Sequence, residues 1–151
     1  MSHAVILDAQ SLGPGINLSA IKESVTHLEV FEQSTTQQAL ERLANADIAI
    51  VNKVVLDAET LQQLPKLKLI CVLATGLNNI DLETAKEQSI EVKNVAAYGT
   101  ASVSQHTLML MLTLANRLPL YQRDVAAGEW QRSAFFCLQD YPTLQLSDKH
   151  L

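Results

Sequence analysis

VLATGLNNIDLETAKEQSIEVKNVAAYGTASVSQHTLMLMLTLANRL, from Val72 to Leu118, decides the fold. It reads as the end of a strand, a glycine-bearing loop, a helix, a strand, a second polar loop and a long apolar helix. That is a β-α-β-α unit with two loops at strand C-termini, the place where parallel α/β sheets hold their ligands. Leu67–Leu73 (LKLICVL) is the strand that feeds it, followed by Ala74-Thr75-Gly76. Leu82–Gln88 is the helix, with Asp81 placed to cap it and to favour its N-terminal dipole. Ile90–Val95 is the next strand, and Thr100 or Ser102 opens the long helix to Leu118.

The same alternation extends toward the N-terminus. Ala4–Leu7 (AVIL), Leu28–Phe31 (LEVF) and Ile48–Val51 (IAIV) are short apolar runs of the kind buried parallel strands show. Leu18–Val25 reads as a helix with Asn17 or Ser19 as its cap. Thr35 or Thr36 caps a second helix through Ala44, and Ala58–Leu64 forms a third, stopped by Pro65. Five strands alternating with helices predict a flavodoxin-like parallel sheet of order 2-1-3-4-5 with helices on both faces. Beyond Pro119 the periodicity fails, and Trp130, Phe135, Phe136 and Tyr141 are mixed with polar residues. The expected organisation is therefore a domain over 1–100, a long helix over 101–118 and an irregular arm over 119–151. About 18 helical residues give roughly 27 Å. Leu108 to Leu112 leave that helix no polar face in its middle, so a partner surface is expected to cover it.

Composition narrows the function. A hydrophobic fraction of 48% with 18% charged residues fits a compact globule, and 151 residues suit one domain. The net charge is −5 and the eleven Lys and Arg are scattered, which disfavours nucleic acid. The longest apolar run, Leu108–Ala115, contains Thr113 and is too short to span a bilayer. MSHAVILDAQ has no basic region and no long apolar core, so no secretory signal is expected and a cytoplasmic location is. Cys71 and Cys137 lie far apart in no metal-ligand spacing; Cys71 reads as a buried thiol in a strand.

Chemistry gathers on one sheet edge. Ala74-Thr75-Gly76 exposes backbone N–H groups at a strand-to-helix turn, where a carboxylate or phosphate can bind, although a glycine there also serves the turn alone. Lys53 follows the third strand, and Tyr98 follows the fifth. A cation beside exposed amides suits a small acid, and a Tyr hydroxyl can orient a substrate oxygen. His106, inside the long helix, has no neighbouring Ser, Cys or metal ligand and reads as structural. Other proteins of this topology fail on residues. A phosphoacceptor receiver needs an acidic pair after its first strand and an Asp ending its third; here stand Asp8 alone and Asn52. A flavodoxin needs a Ser/Thr-rich phosphate loop. A dinucleotide fold needs G-x-G-x-x-G, and Gly13-Pro14-Gly15-Ile16-Asn17-Leu18 has two of the three glycines.

Three linked segments carry a resemblance. Ala74-Thr75-Gly76-Leu77-Asn78-Asn79-Ile80-Asp81, Asn94-Val95-Ala96-Ala97-Tyr98-Gly99-Thr100 and Val103-Ser104-Gln105-His106 are similar to the N-terminal region of the D-isomer-specific 2-hydroxyacid dehydrogenases. The resemblance runs over essentially the whole chain. Gln105 before His106, and the tail Ser133–Leu146 (SAFFCLQDYPTLQL), resemble the glycerate dehydrogenase/hydroxypyruvate reductase branch. Ala96 departs from a common Pro. At the end, Leu146-Ser147-Asp148-Lys149-His150-Leu151 aligns with Leu-x-Gly-Lys-Thr-Leu, with Asp148 in place of Gly and His150 in place of Thr.

The resemblance implies a flavodoxin-like substrate domain and a cleft shared with a nucleotide-binding domain. The amides of Thr75 and Gly76 would hold the carboxylate of a small 2-hydroxy or 2-keto acid. Ala74, Lys53 and Tyr98 would line that pocket, and Thr75 would also lie near the nicotinamide of NAD or NADP. Residues 101–118 and the 119–151 arm would form a homodimer. In the family the nucleotide-binding strand begins at the position of Leu151, and the Arg, Glu and His of catalysis come later. The 151 residues alone are thus expected to be inactive. The alternative is a non-catalytic dimerisation or interaction module derived from the same family.

Overall fold

A computed structural model describes residues 2–150. Leu151, where the resemblance sets the start of a further strand, lies outside the described residues.

The chain alternates β1 (His3–Ile6), a 3-10 turn (Ala9–Leu12), α1 (Ser19–Ser24), β2 (His27–Val30), α2 (Thr36–Leu43), β3 (Ile48–Val51) and α3 (Ala58–Gln62). It continues through β4 (Leu69–Val72), α4 (Leu82–Glu87) and β5 (Glu91–Asn94). Then come α5 (Thr100–Ala115), α6 (Leu118–Ala126) and α7 (Glu129–Arg132). All five strands are parallel in the order β2-β1-β3-β4-β5, the expected flavodoxin-like arrangement. Two compact units divide between Tyr98 and Gly99.

Within the first unit the pleat sends successive side chains to opposite faces. Val5 and Leu7 of the β1 segment join Val51, Ile70 and Val72 in the larger core, against Leu43, Leu61 and Ala85 from α2, α3 and α4. Ala4, Ile6 and Ile50 face the other way, toward Leu18 and Ile21 beside α1. Burial on both faces explains why β1 and β3 are apolar without alternation.

Local chemistry sets the helix starts. Thr35 builds a reciprocal capping box with Gln38, while Asp57 and Asp81 accept the amides of Thr60 and Thr84 at 2.9 Å each. Asn17 accepts the Ser19 amide at 2.9 Å, but the residue bounding α1 is Leu18, so neither expected side chain caps that helix in the usual position.

The second unit differs from its expected layout. The helix expected to reach Leu118 ends at Ala115, because Asn116 donates back to the Leu112 carbonyl and Arg117 turns left-handed at φ 54°. Pro119 then sits in the first turn of α6, a position that needs no N–H donor. The arm beyond residue 119 is therefore not irregular throughout: α6 and α7 occupy its first part. No described helix is long and apolar enough to cross a membrane.

Candidate functional site

Because β3, β4 and β5 are neighbours and parallel, the loops after them open on the same end of the sheet. Lys53 follows β3, Ala74-Thr75-Gly76 follows β4, and Tyr98 follows β5. Lys53, Thr75, Gly76 and Tyr98 are exposed, and Ala74 is half-buried.

Side-chain clips fix these loops. The Asn94 Nδ2 donates to the Thr75 carbonyl at 2.7 Å, and the Thr75 hydroxyl donates to the Val95 carbonyl at 3.0 Å. The Val95 amide donates to the Ala74 carbonyl at 3.1 Å. The acceptors of Ala74 and Thr75 are thereby engaged toward β5. The amides of Thr75 and Gly76 donate to no acceptor among the described residues. A Cβ at Gly76 would stand 3.1 Å from the Asn78 Oδ1, so the glycine permits a close turn as well as an open amide.

The β3 loop is tied to the β4 loop by Asn79. Its Nδ2 donates to the Val54 carbonyl at 2.9 Å, and its carbonyl accepts the Leu56 amide at 2.9 Å. From the other side comes Asp8, which is only 7% exposed. Its Oδ2 accepts the amides of Asn52 (3.1 Å), Lys53 (2.6 Å) and Val54 (3.0 Å), and its Oδ1 accepts that of Asn52 at 2.9 Å. Three consecutive amides thus converge on one carboxylate. The Lys53 ammonium and the Tyr98 hydroxyl make no hydrogen bond among the described residues. Tyr98 is 68% exposed and follows Ala97 at φ 58°.

Sequence reading passed over Asp8, Asn79 and Asn94 as functional residues. Asn94 stood in a quoted motif, so its position carried a signal; the partners of Asp8 lie more than 40 residues away and only the β1–β3 pairing brings them near.

Two further groups are settled by placement. Cys71, on β4, is half-buried, and burial followed by the Glu91 carboxylate pushes its thiol above the usual range. His106 is exposed on α5. No dinucleotide cradle is present among the described residues. Gly13 and Gly15 have φ of +83° and +81°, left-handed backbone that favours glycine at this turn.

Comparison with known proteins follows the same lines. The model of the D-isomer specific 2-hydroxyacid dehydrogenase catalytic domain matches residues 6–143. A putative 2-hydroxyacid dehydrogenase of Haemophilus influenzae is 41% identical over 138 residues, covering 91% of this chain and 44% of that protein. A glycerate dehydrogenase of Methylorubrum extorquens is 41% identical over 117 residues, 78% of this chain and 37% of that protein. The structure of D-lactate dehydrogenase from Aquifex aeolicus, complexed with NAD and lactic acid, superposes with a TM-score of 0.73 at 24% identity. It matches 91% of this chain and 41% of its own and shows the shared fold. The chain spans less than half the length of these relatives.

Proposed function

The chain belongs to the D-isomer specific 2-hydroxyacid dehydrogenase family, and from that premise we propose that it is the substrate-binding portion of an NAD(P)-dependent enzyme of glycerate dehydrogenase/hydroxypyruvate reductase type. One observation carries the reading. The Thr75 and Gly76 amides are exposed and unengaged on a loop whose carbonyls are held by Asn94 and Val95. A carboxylate accepts two such donors at once, and fixed donors need no reorganisation when it arrives. Lys53 adds a positive charge from the neighbouring loop, Ala74 forms the pocket wall, and Tyr98 orients the oxygen on C2.

The whole enzyme reduces a 2-keto acid by hydride from the nicotinamide plus a proton, or runs the reverse. With NAD(P) bound, Thr75 would lie beside its nicotinamide, which would supply or take up the hydride. The described residues include no glycine-rich phosphate loop of the G-x-G-x-x-G kind. The family's Arg, Glu and His have no counterpart here either, and His106 does not replace them.

Hydroxypyruvate added to the purified chain tests the carboxylate seat. At a hundred times its Kd, a ligand that binds only the folded state adds about 2.7 kcal/mol. A rise in melting temperature that Gly76→Pro removes supports the seat, since proline deletes the N–H. No shift with any 2-keto or 2-hydroxy acid overturns it. A separate assay with NADH or NADPH is expected to show no turnover, and turnover would overturn the assignment of catalysis to residues outside this chain.

A second surface supports homodimerisation. Leu108, Leu112 and Leu114 of α5 are 55%, 51% and 69% exposed, and Phe135 and Phe136 are 75% and 92% exposed. Apolar area of this kind marks an interaction surface. A monomer by light scattering, with the segment beyond 119 open to protease, overturns this assignment.

A further inference from the structure

At the end of the sheet opposite the Thr75 loop, β1 and the edge strand β2 begin with histidines in direct register, His3 beside His27. Two residues further along β2, on the same face, stands Glu29. One ligand atom from each of the three lies within 4.8 Å of the others. The His3 Nε2 is 2.7 Å from the Glu29 Oε1, the His27 Nε2 is 3.7 Å from the same oxygen, and the two imidazole centroids are 4.9 Å apart.

We propose that His3, His27 and Glu29 form a binding site for a divalent transition metal of the zinc class. Two imidazoles and one carboxylate are a ligand set that such ions accept, with water completing the coordination. The site is the only group of three such side chains among the described residues.

Three observations beyond proximity support it. First, the His3 Nδ1 lies 3.2 Å from the Asn45 carbonyl while its Nε2 faces the Glu29 carboxylate. In the tautomer with its proton on Nδ1, the ring gives that N–H to the carbonyl and turns Nε2 toward the Glu29 carboxylate. A ring N–H given to a backbone carbonyl is the support that orients most metal-bound histidines. Second, the backbone under the ligands is fixed. The Ser2 carbonyl accepts the amides of Thr26 and His27 at 3.0 and 3.1 Å, and the His3 amide donates to Asp47 at 3.1 Å. Third, the His3 and His27 nitrogens converge on one Glu29 oxygen, at 2.7 and 3.7 Å, so a single ion at that point engages all three side chains. Tetrahedral zinc with bonds of about 2.0–2.2 Å sets its ligand atoms about 3.3–3.6 Å apart, so the His3 and Glu29 atoms, now 2.7 Å apart, need to part by about 0.6–0.9 Å. The exposed Glu29 and His27 side chains, at 41% and 65%, have room to do so.

The consequence is a staple. A metal here ties edge strand β2, held otherwise by one neighbour, to β1 through side chains as well as the ladder.

The test uses the untagged 151-residue protein freed of metal by chelator. Zinc is titrated calorimetrically, and cobalt is used as a spectroscopic probe of nitrogen and oxygen ligation. One equivalent per chain is expected, with a rise in melting temperature. His27→Ala, at an exposed position, is expected to keep the fold and weaken zinc by about 100-fold or more, beyond the 10–100-fold typical of losing a supporting group alone. Glu29→Gln should weaken it as well, and His106→Ala should leave it unchanged. Absence of stoichiometric zinc binding by the wild type overturns the proposal. So does His27→Ala with undiminished affinity, or His106→Ala with lost affinity.

Discussion

Replacing Asp8 tests how the substrate-side loops are held. Its carboxylate is the sole side-chain acceptor for three successive amides, at 2.6 to 3.1 Å, and it is 7% exposed. A hydrogen bond to a charged group contributes about 1.5–3 kcal/mol, but the sum is not three times that value. Lys53 is exposed and Asn52 half-buried, so in Asp8→Ala water can replace the carboxylate there. Val54 is buried, and its orphaned N–H costs the full desolvation, about 2–3 kcal/mol. With about 0.5–1 kcal/mol for each of the other two, Asp8→Ala should cost about 3–5 kcal/mol. Asp8→Asn keeps an oxygen but loses the charge that roughly doubles each bond, so about half that loss is expected. Urea unfolding checks both; with a slope of about 1–3 kcal/mol per molar, the midpoint for Asp8→Ala falls by a molar or more. A loss below about 1 kcal/mol for Asp8→Ala, or equal losses for the two variants, would refute the reasoning.

Asn94→Ala frees the Thr75 carbonyl and should weaken hydroxypyruvate about fivefold, the equivalent of one hydrogen bond near 1 kcal/mol, in a thermal-shift titration. Unchanged affinity would remove Asn94 from the site. Ser89, just past the Gln88 cap of α4, stands at φ 60° and Asp148 at φ 61°. Ser89→Gly and Asp148→Gly should each stabilise by about 0.5–1 kcal/mol in chemical unfolding. Cys71 should react with a thiol reagent more slowly folded than in urea, because burial and Glu91 raise its thiol; equal rates at pH 8 would contradict this. Asp57 is held below the usual carboxylate range by the Thr60 hydroxyl and amide. A depressed folded value contributes stability above the ordinary carboxylate range that is lost as pH falls through the depressed value. Asn caps as well as Asp, so Asp57→Asn should keep neutral-pH stability and flatten the acid limb of the unfolding curve.

Periodicity revealed the sheet because its signals are local. Ile48–Val51 is apolar in every residue and is β3 at those bounds, and Asp81 declares the start of α4 in its own identity. The end of α5 was less legible. Leu118 resumes the apolar pattern after Asn116 and Arg117, and the left-handed turn at Arg117 shows that it starts another helix. Within the site, Gly76 and Lys53 could be read from their places after strands. Asp8 could not, because a lone acid after a first strand acquires meaning only from Asn52 to Val54, and strand pairing alone supplies those. His3, His27 and Glu29 were invisible for the same reason: 24 positions separate residues that the β1–β2 register sets side by side.

The two loops on the substrate side show why one of them is open. Both present backbone amides at the end of a parallel strand, and both are held by polar side chains from elsewhere. After β3, Asp8 fills the concavity, so the Lys53 amide is occupied and only its ammonium remains free to meet an anion. After β4, the clips act on the carbonyls instead: Asn94 takes that of Thr75, and the Val95 amide takes that of Ala74. Engaging the Ala74 and Thr75 carbonyls leaves the Thr75 and Gly76 amides as open donors on a chain whose net charge is −5. Three amides after β3 are thus filled by the protein's own anion, whereas those of Thr75 and Gly76 meet no acceptor among the described residues. Converting Asn94 to Asp would present the Thr75 carbonyl with an acceptor in place of a donor. Under the proposed function it should turn the loop and close the carboxylate seat, read as loss of the hydroxypyruvate-dependent thermal shift.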